Sequence, residues 1–116
     1  MSPLETVTRW FEAFASDPEA ARALWSEEAT LHAADGGFEG GFDDLLSWYA
    51  RRREREGPGF SWSVEDLLGG ERYAAAVLRL MSKARPAGWV QHAVYDVRNG
   101  VIREVWLHEF AGPEAR

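Results

Sequence analysis

Cysteine is absent from the chain. A disulfide framework and a thiolate metal site are thereby excluded, and a reducing cytoplasm is the expected compartment. Basic charge is in deficit as well, with 13 Lys and Arg against 19 Asp and Glu and a net charge of −6. Affinity for nucleic acid rests on Lys and Arg neutralising phosphates, so no nucleic-acid partner is expected. No apolar run approaches membrane-spanning length, and the opening MSPLETVTRW lacks a charged segment followed by an apolar one. Neither a membrane partner nor export is expected. Walker loops, dinucleotide fingerprints and Ser/His/Asp arrangements are missing, and GGFEGG has glycines without the GxGxxG spacing. No HxxxH or HxH spacing occurs either, so no cofactor and no metal are expected.

What is abundant is aromatic surface: six Trp, six Phe and three Tyr spread along 116 residues. That content excludes disorder and predicts one domain, residues 1–116, with an aromatic-rich core.

Ser2-Pro3-Leu4-Glu5 has the form of a capping box, and Val7, Trp10, Phe11 and Phe14 then recur at helical spacing. Asp17-Pro18 stops this helix and caps a second one, over 18–27, with apolar positions Ala21, Leu24 and Trp25. An extended stretch, EATLHAADGGFEGG, leads into a third helix over 42–55. Asp43 and Asp44 in its first turn and Arg51, Arg52, Arg53 and Arg55 in its last suit the helix dipole, and the basic run reads as a solvated helix end. The loop Asp35-Gly36-Gly37 is expected at the mouth of any pocket, where it would gate entry.

From Phe60 the pattern changes to period two, with turn signals at Gly69-Gly70, at 85–88 and at Asn99-Gly100, which predicts a four-strand antiparallel meander. A two-residue type I′ turn at Asn99-Gly100 sets Tyr95 opposite Glu104, Ala93 opposite Trp106, Gln91 opposite His108 and Asp96 opposite Arg103. Gly69-Gly70 treated likewise sets Trp62 opposite Val77. Pairing Lys83 with Trp89 then sets Arg79 against Ala93 and Met81 against Gln91. In this register Trp62, Arg79, Met81, Trp89, Gln91, Tyr95, Glu104, Trp106 and His108 share one large, aromatic face, taken as the concave one under the helices. His92 falls on the other face with Leu78, Leu80, Val90, Val94, Val105 and Leu107. That face is too apolar for water, which predicts a homodimer through the outer sheet face.

LWSEEATLHA and YDVRNGVIREVW, in this order of elements, resemble the SnoaL-like branch of the nuclear transport factor two-like superfamily, whose relatives include ketosteroid isomerases, limonene epoxide hydrolases and polyketide cyclases. The resemblance covers Leu4 to Phe110. It implies an α+β cone-shaped fold, with three N-terminal helices packed in the concave face of a curved, mainly antiparallel sheet made of a short first strand and the meander. It also implies an apolar cavity. The isomerases' catalytic carboxylate and oxyanion-hole acid match Ala33 and Ala93 here, so that mechanism is not expected. The catalytic Asp that the hydrolases and cyclases carry on the last strand matches His108, and the hydrolases' Arg and Asp match Arg79 and Met81.

The expected ligand is a small apolar organic molecule. His108 is the candidate acid/base, Arg79 the charge stabiliser and Glu104 a supporting acid. Trp10, Phe14, His32, Trp62, Met81, Trp89, Gln91, Tyr95 and Trp106 are the candidate ligand-binding wall. Cofactor-independent isomerase, cyclase or hydrolase activity is one expectation. A non-catalytic ligand-binding or dimerisation module of the same fold, with its cone filled by its own Trp side chains, is the other.

Overall fold

The computed structural model describes residues 1–33 and 38–110, apart from the side chains of Phe38 and Phe110. Helix α1 (Pro3–Ser16) opens with the expected capping box: Ser2 Oγ accepts from the Glu5 amide at 3.1 Å, and the Glu5 carboxylate accepts from Ser2 N–H at 3.4 Å. Val7, Trp10, Phe11 and Phe14 form its buried face. After Asp17 the chain makes a 3₁₀ helix, Pro18–Leu24, in place of the longer helix expected to residue 27. Trp25 already belongs to strand β1 (Trp25–Ala33), where it pairs with Ile102 and packs its indole 5.4 Å from that of Trp10.

A three-residue strand β2 (Phe38–Gly40), absent from the sequence reading, pairs antiparallel with β1. Helix α2 (Phe42–Glu56) follows, then β3 (Ser61–Gly69), β4 (Tyr73–Met81), β5 (Trp89–Arg98) and β6 (Val101–Phe110). The strand order is β2-β1-β6-β5-β4-β3, antiparallel except where β1 runs parallel to β6. The architecture is the expected α+β cone: helices cover one face of a curved, mostly antiparallel sheet. The Asp35–Gly37 loop lies outside the described residues.

Three details of register reverse the expected faces. Asn99 and Gly100, with φ of 53° and 76°, make the expected turn, and Arg98 and Val97 pair with Val101 and Ile102. Arg103 then bulges out of the ladder, so Asp96 meets Glu104 and Tyr95 meets Val105. Since successive side chains point to opposite faces, one extra residue inverts everything after it. Val105 and Leu107 turn inward, at 1% and 8% exposure, and Trp106 and His108 turn outward.

On β3 the extra residue is Glu65, between the pairs Val64–Leu78 and Asp66–Val77. The β3–β4 turn itself closes on Gly70 and Tyr73 rather than on the two glycines, with Gly70 N–H donating to the Tyr73 carbonyl at 2.8 Å.

Between β4 and β5, Leu80 pairs with Trp89, three residues away from the expected register. Gly88 makes this bend with φ of +77°, and a Cβ there would collide with the Leu80 carbonyl oxygen. Only glycine fits. Ala74, Ala76, Leu78 and Leu80 consequently face the helices, and Arg79 and Met81 face outward. Of the aliphatic residues expected to form a dimer face, Leu78, Leu80, Val105 and Leu107 are thus core, whereas Val90 and Val94 stay on the outer side.

Candidate functional site

Between α1, α2 and the concave sheet an unfilled cavity of about 80 Å³ remains. Helix α1 supplies Trp10, Phe11 and Phe14 to its wall, and α2 supplies Leu45, Trp48, Tyr49 and Arg52. The sheet supplies Leu31, Trp62, Leu78, Leu80, Gln91, Tyr95, Val105 and Leu107, and Phe60, just before β3, completes the wall. The α2 residues recur every three or four positions, so one stripe of that helix faces the space. This stripe separates Arg52, 8% exposed, from Arg51, Arg53 and Arg55, which are exposed as a solvated helix end should be.

Arg52 lies at the polar end of the cavity. Its two terminal nitrogens donate to the two oxygens of Glu109, and its Nε donates to Glu56 at 3.1 Å. Glu109 also accepts from Trp89 Nε1 at 2.7 Å and from Gln91 Nε2 at 3.2 Å. Arg85, from the β4–β5 turn, donates to Glu56 at 2.9 Å and lies over the Trp89 ring at 3.5 Å. Burial would raise the Glu109 carboxyl, but the hydrogen bonds and charge of Arg52, with Trp89 and Gln91, outweigh it and hold the group below its ordinary 4.5. Burial likewise disfavours the Arg52 charge, and Glu109 and Glu56 overcome it. The carboxylate is ionised and accepts four hydrogen bonds, which fills its acceptor capacity.

Two phenols complete the polar inventory. Tyr49 Oη accepts from Trp62 Nε1 at 2.9 Å. Tyr95 is 3% exposed, and burial raises its phenol well above the ordinary value although the neighbouring Trp10 indole acts in the opposite sense. Tyr95 is therefore a neutral phenol at any ordinary pH.

Of the residues expected at the wall, Trp10, Phe14, Trp62, Gln91 and Tyr95 line the cavity. Trp89 is buried behind it, bonded to Glu109. His32, Arg79, Met81, Glu104, Trp106 and His108 stand on the opposite face of the sheet, because of the bulges and the β4–β5 register. There His32 Nε2 lies 2.6 Å from Glu104 Oε2, and its ring stacks on Trp106 with centroids 6.0 Å apart. Arg79 pairs with the bulged Glu65 and donates to the Ala87 carbonyl at 3.0 Å. His92, expected on the other face from His108, is its direct cross-strand partner. The reading of single residues missed Tyr49, Arg52 and Glu109, although the α2 stripe was legible.

Among the described residues no three His, Asp or Glu side chains are placed to hold a metal ion, and no helix is long and apolar enough to cross a membrane.

A family model for the SnoaL-like domain matches residues 7–105. This chain belongs to the SnoaL-like family. Among solved structures, the SnoaL-like chain is similar to IdmH of Streptomyces antibioticus, described as a proposed polyketide cyclase, with 21% identity, 94% of this chain and 92% of that one covered, and a TM-score of 0.73. It is similar also to a proposed ketosteroid isomerase from Kribbella flavida, with 18% identity, 97% and 83% coverage and a TM-score of 0.72. A third, an NTF2-like protein of unknown function from Mesorhizobium loti, shares 19% identity over 92% and 89% of the chains, with a TM-score of 0.74. At these identities the SnoaL-like chain shares their fold. Among curated proteins none matches it.

Proposed function

We propose that this protein binds a small, largely apolar organic molecule inside the cone, with Gln91, Tyr95 and Tyr49 supplying the few polar contacts. The observation that carries this reading is the unfilled space itself. Protein interiors are packed to crystal-like density, yet here an aromatic core leaves about 80 Å³ open against a nearly all-apolar wall. Water gains little in such a space. The volume is below the several hundred Å³ usual for ligand sites, so a molecule larger than one ring requires α2 to move outward.

Binding is better supported than turnover. The relatives described as a polyketide cyclase and a ketosteroid isomerase suggest acid–base chemistry, which needs a base at the cavity. Glu109 has no acceptor capacity left, and His108 and Glu104 stand on the opposite face. The small volume also favours a second reading, a module packed by its own tryptophans that serves to dimerise. A homodimer through the outer sheet face fits either reading: Trp106 and Val94, neighbours across β5 and β6, are 38% and 37% exposed there. The cytoplasm is the compartment that suits a chain without cysteine.

The test is a calorimetric titration with single-ring hydrocarbons, on the parent and on Leu78→Trp, which fills the cavity. Saturable binding to the parent that disappears in Leu78→Trp supports the ligand site. Absence of binding in the parent moves the protein to the packed module.

A further inference from the structure

Of the described residues that line the cavity, Trp48, Tyr49, Phe60 and Trp62 are half-buried and the others are buried. A side chain that touches both the empty space and the solvent marks where the wall is thinnest. Trp48 and Tyr49 lie on α2, and Phe60 and Trp62 stand at the start of β3, so the cavity opens between this helix and this strand. A hydrogen bond crosses the opening, from Trp62 Nε1 to Tyr49 Oη at 2.9 Å. Both rings rest on the aromatic floor: Tyr49 lies 4.9 Å from Phe14, and Trp62 lies 5.8 Å from Phe11 and 6.3 Å from Phe14. Elsewhere α2 is fastened more firmly. Phe42, in its first turn, packs 6.0 Å from Trp10 and 5.8 Å from Trp25, and Arg52 is bound to Glu109. Strand β3 is an edge strand, paired with β4 alone, interrupted at Glu65 and mostly exposed. Such a segment opens at lower free energy than the strands inside the sheet.

We propose that Tyr49 and Trp62 are the gate of this cavity, and that the bond between them sets how fast a molecule enters and selects against molecules wider than one ring. This rests on the reading of the cavity as a ligand site. A space of about 80 Å³ is reached only when α2 and β3 part at the opening, and parting breaks this bond. Both side chains already reach the solvent, so water takes up the indole N–H and the phenol in the open state. Opening therefore costs the net value of one hydrogen bond and not that of a buried unpaired donor. A single ring lets the gate close behind it. The bond is then broken only during passage, and it slows entry and exit by one common factor while leaving affinity alone. A fused pair of rings holds α2 and β3 apart, so the bond stays broken in the complex and its loss is subtracted from affinity. A side chain that merely touches the bound molecule behaves differently, since it acts on affinity chiefly through the rate of exit.

Benzene and tetralin, one ring and two fused rings, are the probes, with entry and exit followed by stopped-flow tryptophan fluorescence on the parent and Tyr49→Phe. This substitution removes the accepting oxygen and keeps the ring in the wall. The expected result for benzene is that both rates rise together by about three- to tenfold, the range of one net hydrogen bond, with affinity unchanged. For tetralin the affinity itself is expected to rise by the same factor, so the preference for one ring narrows. Trp62→Phe removes the donor in place of the acceptor and is expected to move the rates and the preference in the same direction; it decides the matter if Tyr49→Phe does not fold. A benzene affinity that falls while the entry rate stays the same makes Tyr49 an ordinary wall contact and overturns the inference. Rates and preference equal to those of the parent place the entry elsewhere and overturn it too, and either result leaves the ligand site standing. Binding of neither compound to parent or variant overturns the ligand site along with its gate.

Discussion

Glu104 and Glu109 stand on the same strand, each beside a tryptophan and a cationic or imidazole side chain, and their surroundings are opposite. Glu104 shares one hydrogen bond with His32 next to Trp106 on the open face, with its side chain 37% exposed. Glu109 is enclosed between α2 and β5, where Arg52, Trp89 and Gln91 together supply four donors. Water can complete the solvation of the first carboxylate. The second has to be satisfied by protein groups, because a charge moved into the interior is strongly disfavoured unless it is paired and fully hydrogen-bonded. The same side-chain types thus yield a loose surface pair in one place and a structural anchor in the other. The choice between them is made by Arg103, whose bulge assigns the faces of β6.

Placing a carboxylate on the inner face of β6 is the harshest way to break this comparison. Val105, next to Glu104 and turned inward by the bulge, is 1% exposed. Val105→Glu forfeits about 1.5–3 kcal/mol of aliphatic burial and adds the cost of an unpaired charge in the interior. It is expected to destabilise by more than about 4 kcal/mol, a large part of the total for a domain of this size. Urea denaturation checks it; a midpoint near that of the parent would mean that β6 shifts its register and turns the new carboxylate to water.

Next in size is Glu109→Ala, which leaves the buried Arg52 with Glu56 as its one carboxylate and the Trp89 N–H without its acceptor, at a cost of about 3 kcal/mol. Replacing both partners, Arg52→Met with Glu109→Leu, is expected to recover most of that loss, as apolar substitutes for buried ion pairs commonly do. The two urea curves together show whether the network stabilises the fold or only must not be broken.

A milder probe is pH. The Glu109 carboxyl titrates below its ordinary 4.5 in the folded chain, held there against burial by Arg52. Arg72 holds Asp96 below its ordinary 3.8 in the same sense. A folded-state value below the unfolded one gives stability that is fully present above the unfolded value and lost as pH falls through the folded one. The urea midpoint should be level from pH 7 to about 5 and decline below the ordinary 4.5 of the Glu109 carboxyl. Glu109→Gln should decline less steeply, the remainder falling to Asp96 and to the exposed Glu5 and Glu19, which hydrogen bonds with Ser2 and Arg22 also hold below their ordinary value.

Local signals in the sequence were readable wherever one interaction decides the structure. The Ser2–Glu5 capping box, the aromatic stripe of α1 and the turn at Asn99-Gly100 depend on nearest neighbours, and each is where its pattern places it. Trp10, Phe14, Trp62, Gln91 and Tyr95 reached the cavity by the same logic. The bulges at Arg103 and Glu65 leave no comparable mark: both are ordinary strand residues, and their extrusion is set by how the curved sheet fits its helices. One physical test does separate the alternatives. Leu78, Leu80, Val105 and Leu107 bury without loss, whereas Arg79, Glu104 and His108 each demand a partner inside. Weighing aromatic area above the burial of charge chose the wrong face. Arg52 was hidden for a related reason, since its three exposed neighbours make the whole run look solvated.

The smallest expected effect is on the open side of the comparison. Glu104→Gln removes one charge from a pair with His32 that is about one-third exposed, and such pairs contribute no more than about 1 kcal/mol and weaken with salt. Its cost should therefore be a few tenths of a kcal/mol at ordinary ionic strength. Repeating the urea curves of parent and variant over a range of protein concentrations makes the small number informative. A cost that stays small and independent of concentration fits an outer face in water. A cost that grows toward that of Glu109→Ala, together with a midpoint that rises with concentration, would mean that a second copy covers Glu104 and Trp106. Burial by a partner would then have given the outer carboxylate the same requirement for satisfied bonds that the fold gives the inner one.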